Sequence, residues 1–291
     1  MISLHRTIKA KKSQGDFYIR GDIEITKRYY DGVAHEIYRE TWDEDNHHLG
    51  IFDGTLSFSD ASKKANENLL SKLEIDENSN VLDIGSGFGG LPRFIAGNVG
   101  CRVIGLNLSG RENDYARDRN REVGLNHLID VIDGDFNDIP FKDEFFDIAV
   151  SQDAMLHSPD KRELITECAR VLKKKGRFIF SDILNTGLSG EEERIANERI
   201  NAPYLGTFDL YREYLIENKF RIDEISNLGS LNVEMTYRTV HDNLIEKREF
   251  LEDEKDIPSK TIENTLKGLK FWVDKAREEK IGWGLFVAVK D

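Results

Sequence analysis

From about residue 78 onward the chain alternates between two spacings of hydrophobic residues. Short apolar runs (NVLDIG, CRVIGLN, LIDVID, FFDIAVS and RFIFSDI) are separated by stretches whose apolar positions recur every three or four residues. Strands alternating with amphipathic helices predict a parallel sheet with helices on both faces. FRIDEISNL, from 220, reads as a sixth strand, and GWGLFVAVK at 282–290 as an apolar terminal strand. Two helix starts are marked. SGRE at 109–112 has the spacing of a capping box, Ser109 with Glu112, and predicts a polar helix to about Val123. In HSPDKRELITECARVLKKKG, Ser158 is the expected N-cap, Pro159 the first helical residue and Asp160 part of the first turn. Lys173–Lys175 are then expected at the negative end of that helix, with Gly176 past its stop and Leu164, Ile165, Cys168, Val171 and Leu172 on its apolar face.

The flanking segments have a different texture. Residues 16–75 are aromatic and charged, with Tyr38 and Trp42 spaced for one helix face, and residues 1–75 are predicted to form a helical cap. The remainder, 76–291, is predicted as one core carrying substrate-covering insertions at about 185–210 and 230–279. Residues 238–279 read as two helices broken near Pro258, and the whole excursion is expected to cover the carboxyl edge of the sheet.

Composition narrows the partners. The chain has 291 residues, 33% of them charged, and a net charge of −13, which argues against a nucleic-acid or anionic-membrane surface. Cys101 and Cys168 offer neither a metal spacing nor a disulfide framework, and no metal is expected. No run is long enough for a secretory signal or a membrane span, so a cytoplasmic protein is predicted, either monomer or homodimer.

The chemistry begins at VLDIGSGFGG. Gly85, Gly87 and Gly90 satisfy a G-x-G-x-x-G spacing while Gly85, Gly87 and Gly89 satisfy G-x-G-x-G, so the glycines alone leave the ligand open. Asp83 shifts the choice, because a carboxylate two residues before the first glycine repels a pyrophosphate but receives an ammonium. An ammonium belongs to an amino-acid cofactor, S-adenosylmethionine, and the segment resembles motif I of the class I S-adenosylmethionine-dependent methyltransferases. That resemblance implies a Rossmann-like, doubly wound α/β fold: a seven-stranded, mostly parallel sheet with an antiparallel last strand, plus helical cap segments. It also implies a cofactor site. Asp83, Gly85, Gly87 and Gly89 would serve the methionine end, with Ser151 and Gln152 beside them. Asn107, followed by Leu108, stands where the family usually has a ribose-binding acid. Asp135 and Phe136, in DGDFNDIPF, would meet the adenine.

The resemblance covers about 28 to 290 and narrows to small-amine N-methyltransferases. YYDG…IYRETWDEDNHHLGIF, SQDAMLHSPDK and the terminal GWGLFVAVK are most similar to the sarcosine/dimethylglycine methyltransferases, with phosphoethanolamine methyltransferases as cousins. The segment ERINAPYLGTFDLYRE points to the first group. The implied reaction methylates a small amino-acid amine, sarcosine or dimethylglycine, to glycine betaine. The alternative substrate is a phosphobase. An NAD-dependent oxidoreductase and a cofactor-binding protein without catalysis are the rival classes. Methyl transfer to an amine is an in-line displacement that needs an unprotonated nitrogen and little water. His157, placed before a helix N-terminus that disfavours imidazolium, either accepts a proton or only closes the turn. In the cousin family the matching histidine pairs with a tyrosine, for which Tyr30 is the match here and Tyr29 the alternative; Asp153 matches an acid that contacts the amine. Arg199 would grip a substrate carboxylate, with Tyr204 beside it and Tyr237 lining the same pocket.

Overall fold

A computed structural model of the chain describes residues 27, 28, 30–43, 45–52 and 57–291; Tyr29 lies outside them. Two helices, α1 (Val33–Thr41) and α2 (Phe58–Leu70), precede the sheet. The core then runs β1 (Asn80–Ile84), α3 (Gly90–Val99), β2 (Arg102–Asn107), α4 (Gly110–Glu122), β3 (Ile129–Asp133) and β4 (Phe146–Gln152). A single 3-10 turn, Met155–His157, leads to α5 (Lys161–Val171) and the long β5 (Leu172–Asn185). After α6 (Glu191–Arg199), α7 (Phe208–Glu217) and β6 (Phe220–Asn227) come α8 (Ser230–Glu246), α9 (Arg248–Asp253) and α10 (Ser259–Arg277), and β7 (Ile281–Lys290) closes the chain.

The seven strands lie in the order β3-β2-β1-β4-β5-β7-β6. Neighbours from β3 to β5 pair in parallel, and β7 runs antiparallel to both β5 and β6, as the resemblance implied. Side chains alternate across a strand, so each apolar run feeds two cores. Leu82, Ile84, Phe178, Phe180 and Phe286 fill one face, while Val81, Ile148, Val150, Ile179 and Val287 fill the other. Strands buried on both faces explain why the sequence reads as continuous apolar runs. A third core lies over the carboxyl edge, where Ile37 and Tyr38 of α1 meet Val233 and Tyr237 of α8, Trp272 of α10 and Trp283 of β7.

Three boundaries differ from expectation. Ser158 does not cap α5: Asp160 does, its carboxylate accepting from the Glu163 N–H at 3.0 Å. Pro159 biases the residue before it to extended backbone, which Ser158 adopts at φ −67° and ψ 126°, and its hydroxyl goes to Asn137 Oδ1 at 3.1 Å instead. Lys173–Lys175 are not in the last helical turn, because β5 begins directly at Leu172. The N–H groups of Glu144 and Phe145 take the carbonyls of Arg170 and Val171, and Lys173 pairs with Asp147 at 2.7 Å. The C-terminal excursion has three helices, starting at Ser230 rather than 238, where Gly229 turns the chain at φ +87°. Ser109 does cap α4, its hydroxyl accepting from the Glu112 N–H at 3.2 Å, but the Glu112 carboxylate turns to another partner.

Phe180 is fully buried, stacked on Phe286 at a centroid distance of 4.6 Å and edge-on to Tyr211. Phe180→Ala should therefore lower unfolding free energy by about 3–5 kcal/mol, read by urea denaturation; a loss under about 1 kcal/mol would mean that this layer repacks freely.

Candidate active site

The strand order reverses between β1 and β4, and the crevice outside the carboxyl ends of such a pair is where ligands sit in open α/β sheets. The turn after β1 is built for close approach. Gly85 has φ +77°, and a Cβ there would collide with that of Ala154; Gly87, at φ +49°, faces open space. Both line one cavity in that crevice. Asn107, Leu108, Asp135, Phe136, Gln152, Asp153, His157 and Tyr30 stand on its wall, so most residues singled out in the sequence converge there.

Two expected members are placed elsewhere. Ser151 is fully buried and donates its hydroxyl to the Ile84 carbonyl at 2.8 Å, which ties β4 to β1 rather than facing the cavity. Gly89, at φ +79°, is the N-cap of α3 and packs on Arg93. Asp83 lines an adjoining recess with Gly85, Gly87, His47 and Gln152. It is 2% exposed, receives no hydrogen bond from the described residues, and burial pushes its carboxyl up to about 8.

At the opposite end, Asn107 Nδ2 donates to Glu112 Oε2 at 3.0 Å and to Asn113 Oδ1 at 3.1 Å. Glu112 also lines the cavity, and burial raises its carboxyl to about 7 against the pull of the Asn107 hydrogen bond. Sequence reading found Glu112 but took it only as half of a capping box. Asp135 accepts from the Asn137 N–H at 2.8 Å and is pushed upward by burial.

A second cavity opens beside the first, and His157, Tyr30, Asp153 and His47 belong to both walls. Tyr30 Oη lies 2.7 Å from His157 Nε2, the rings edge to face. His157 is lowered to about 3, first by burial and then by the Lys161 cation, so these, rather than the helix terminus expected from the sequence, keep it neutral. Tyr38, Trp42 and Tyr237 supply aromatic walls, with Trp42 perpendicular to Tyr237 at 5.9 Å and the Arg199 guanidinium 5.6 Å from the Tyr237 ring. Tyr204 is on neither wall: its ring lies under Lys161 Nζ at 3.8 Å.

His47 was missed. It stands on both cavities and the recess, its two ring nitrogens are sealed from solvent without a hydrogen-bond partner, and burial lowers it to about 3. It falls in an irregular polar stretch where no periodicity marks it.

Asp153 has φ +53°, which few non-glycine residues adopt. Its carboxylate accepts from the Leu49 N–H at 2.8 Å, from Ser181 Oγ at 2.7 Å and from Trp283 Nε1 at 2.7 Å. These contacts are all with the protein, so its first visible task is to anchor the loop 45–52. Among the described residues no group of three or more His, Cys, Asp or Glu side chains gathers to hold a metal ion. No described helix is long and apolar enough to cross a membrane.

A family model described as a methyltransferase domain matches residues 82–180. The chain is 35% identical to a sarcosine/dimethylglycine N-methyltransferase from Halorhodospira halochloris, over 91% of this chain and 95% of that protein. It is 30% identical to one from Aphanothece halophytica, over 88% and 93%. A crystal structure of a candidate sarcosine dimethylglycine methyltransferase from Galdieria sulphuraria matches with a TM-score of 0.83 at 28% identity, covering 90% of this chain and 99% of that one.

Asp153→Asn would turn an amide N–H against one of the three donors. A buried donor left unpaired costs about 1–3 kcal/mol, so the variant should lose that much stability and exchange the Leu49 amide faster. Unchanged melting and unchanged Leu49 protection would show that the loop is held by other contacts.

Proposed function

The chain belongs to the sarcosine/dimethylglycine N-methyltransferase family, and from that premise we propose that it methylates the nitrogen of sarcosine and dimethylglycine, ending in glycine betaine. The observation that carries the reading is the Tyr30–His157 contact at the junction of two cavities, one suited to the cofactor and one walled by aromatic faces and Arg199.

The first cavity fits S-adenosylmethionine. Asp83, in the adjoining recess, is a buried carboxyl without a partner among the described residues, suited to the cofactor ammonium, and the Gly85–Gly87 backbone leaves room for the methionine chain. Asn107 and Glu112 would hold the ribose hydroxyls, and Asp135 with Phe136 the adenine. When bound, the cofactor supplies an electrophilic methyl group on a sulfonium. The protein's share is alignment, dehydration and proton handling. Burial in the second cavity favours the neutral amine over the ammonium, and neutral His157, directly or through the Tyr30 hydroxyl, would accept and pass on the proton that the ammonium form sheds before methyl transfer. Arg199 would take the substrate carboxylate through its planar fork. The faces of Tyr38, Trp42 and Tyr237 would stabilise the charge that grows on nitrogen as it becomes quaternary. A phosphate substrate is less suited, since Arg199 is the only lysine or arginine on the described wall of that cavity. The net charge of −13 supports a cytoplasmic enzyme that binds neither nucleic acid nor an anionic membrane.

Labelled methyl transfer to glycine, sarcosine, dimethylglycine and phosphoethanolamine, run side by side, tests the reading. Label should appear on sarcosine and dimethylglycine. Proton handling of this kind contributes about 10²–10⁴-fold, so His157→Ala and Tyr30→Phe should cut turnover far more than cofactor affinity. Label on phosphoethanolamine alone would overturn the substrate, and full activity in either variant would remove the proton role.

Asp83 gives a second test. Burial pushes its carboxyl up to about 8, so at pH 7 it is largely protonated. An ammonium beside it favours the carboxylate, so cofactor binding should release a proton at pH 7 and tighten as pH rises toward 8. Calorimetry of S-adenosylhomocysteine in buffers of different ionisation enthalpy should detect that proton, and Asp83→Asn should abolish it. The same proton release in the variant would assign it to another group.

A further inference from the structure

The turn that delivers His157 is held by a buried cation. Lys161, the first residue of α5, is completely enclosed. Its Nζ donates to the carbonyl oxygens of Leu156 at 3.1 Å, Ser158 at 3.1 Å and Tyr204 at 2.9 Å. Three acceptors require three N–H donors, which an ammonium has and a neutral amine lacks. Two of the acceptors flank His157 in sequence. The third belongs to the segment just after Arg199, the residue placed on the substrate wall. The backbone of Asn201, in that same segment, lies beside the His157 ring. Behind the lysine, the carboxylate of Asp182 accepts from the Tyr211 hydroxyl and from the Leu156 N–H at 3.2 Å, a second grip on the same turn.

A cation sealed from water is costly unless its hydrogen bonds and countercharge are in place. Here the three hydrogen bonds are in place, and they converge on the turn rather than on a surface. We propose that Lys161 is a positioning residue for methyl transfer: its ammonium registers the His157 turn against the Arg199-bearing segment. The inference rests on the reading of His157 as the proton acceptor.

The full-length protein labelled with 15N-histidine, with His157 assigned through His157→Gln, gives a readout independent of activity. Lys161→Gln keeps amide donors but removes the charge. It should shift the His157 ring resonances, because two amide donors cannot hold three carbonyl oxygens and the turn loses its register. Lys161→Arg, which retains charge and donors, should keep the wild-type resonances and turnover. In Lys161→Met, turnover should fall at least tenfold and KM for the amino-acid substrate should rise, while S-adenosylhomocysteine affinity stays within twofold. Unchanged His157 resonances in Lys161→Gln overturn the proposal. So does a Lys161→Met variant whose S-adenosylhomocysteine affinity falls in parallel with its activity, since a general structural role predicts that pattern. Should the wild type transfer methyl to none of the amines, the substrate reading fails, and the His157 resonances still decide the case for Lys161.

Discussion

Asp153 accepts hydrogen bonds from three elements at once: the Leu49 amide of the cap loop, the Ser181 hydroxyl of β5 and the Trp283 indole of β7. A parallel sheet leaves its carboxyl edge as an open crevice, and something must fix what covers it. The loop 45–52 contains no helix or strand, so its place depends on side chains elsewhere. Asp153 holds its middle. Thr236 and Asn232 of α8 accept from the Gly50 and Phe52 amides at 3.1 and 2.9 Å, and Arg93 of α3 reaches Asp45 at 2.8 Å. His47, on the wall of both cavities, therefore owes its position to residues scattered over nearly two hundred places in sequence.

The electrostatics follow from that enclosure. Burial alone drives Asp83 up to about 8, and it drives Glu112 up to about 7 and His47 and His157 down to about 3. The two sets pull stability in opposite directions. Histidines with lowered values bind fewer protons when folded than when unfolded, so they cost stability as pH falls below about 6.5. Carboxyls with raised values hold protons that the unfolded chain has shed, so they cost stability as pH rises through 7 to 8. The second cost falls on residues that face the cofactor cavity and its recess, where a ligand can relieve it. A cation beside Asp83 would make its ionisation favourable, so binding one would recover that cost.

The sheet was legible in the sequence because its inner strands β1, β2, β4 and β7 are buried on both faces and read as apolar runs. Local chemistry was legible wherever one residue type is obligatory, as at Gly85, where only a missing Cβ clears Ala154. Boundaries failed where tertiary hydrogen bonds displaced local ones. The Ser158 hydroxyl found Asn137, leaving the cap to Asp160, and the carbonyls ending α5 were taken by Glu144 and Phe145, so a strand could begin at once. His47 and Glu112 show the other limit. Neither follows a period, and their importance comes from being enclosed by segments far away in the chain. Tyr204 shows the converse: it lies next to Arg199 in sequence, yet its ring serves Lys161 instead of the cavity.

The two cavities also divide the chain's labour in a way that bears on specificity. The cavity proposed for the cofactor is walled mainly by the ends of β1, β2 and β4 and the turns after β1 to β4, whose positions the sheet dictates, with Lys27, Tyr30 and His47 added from the N-terminal segment. The second cavity draws Tyr38 from α1, Trp42 from the residue after it, Arg199 from α6 and Tyr237 from α8, all outside the strands. Substrate choice can therefore change by substitutions in the cap and insertions while the sheet and cofactor site stay fixed. Within one such cavity, a single methyl group discriminates by only about 1–3 kcal/mol. A pocket whose aromatic walls accommodate the tertiary amine leaves room for the secondary one, and the carboxylate partner proposed at Arg199 would be the same for both. Successive methylations in one site then need no rearrangement of the protein, only exchange of the spent cofactor.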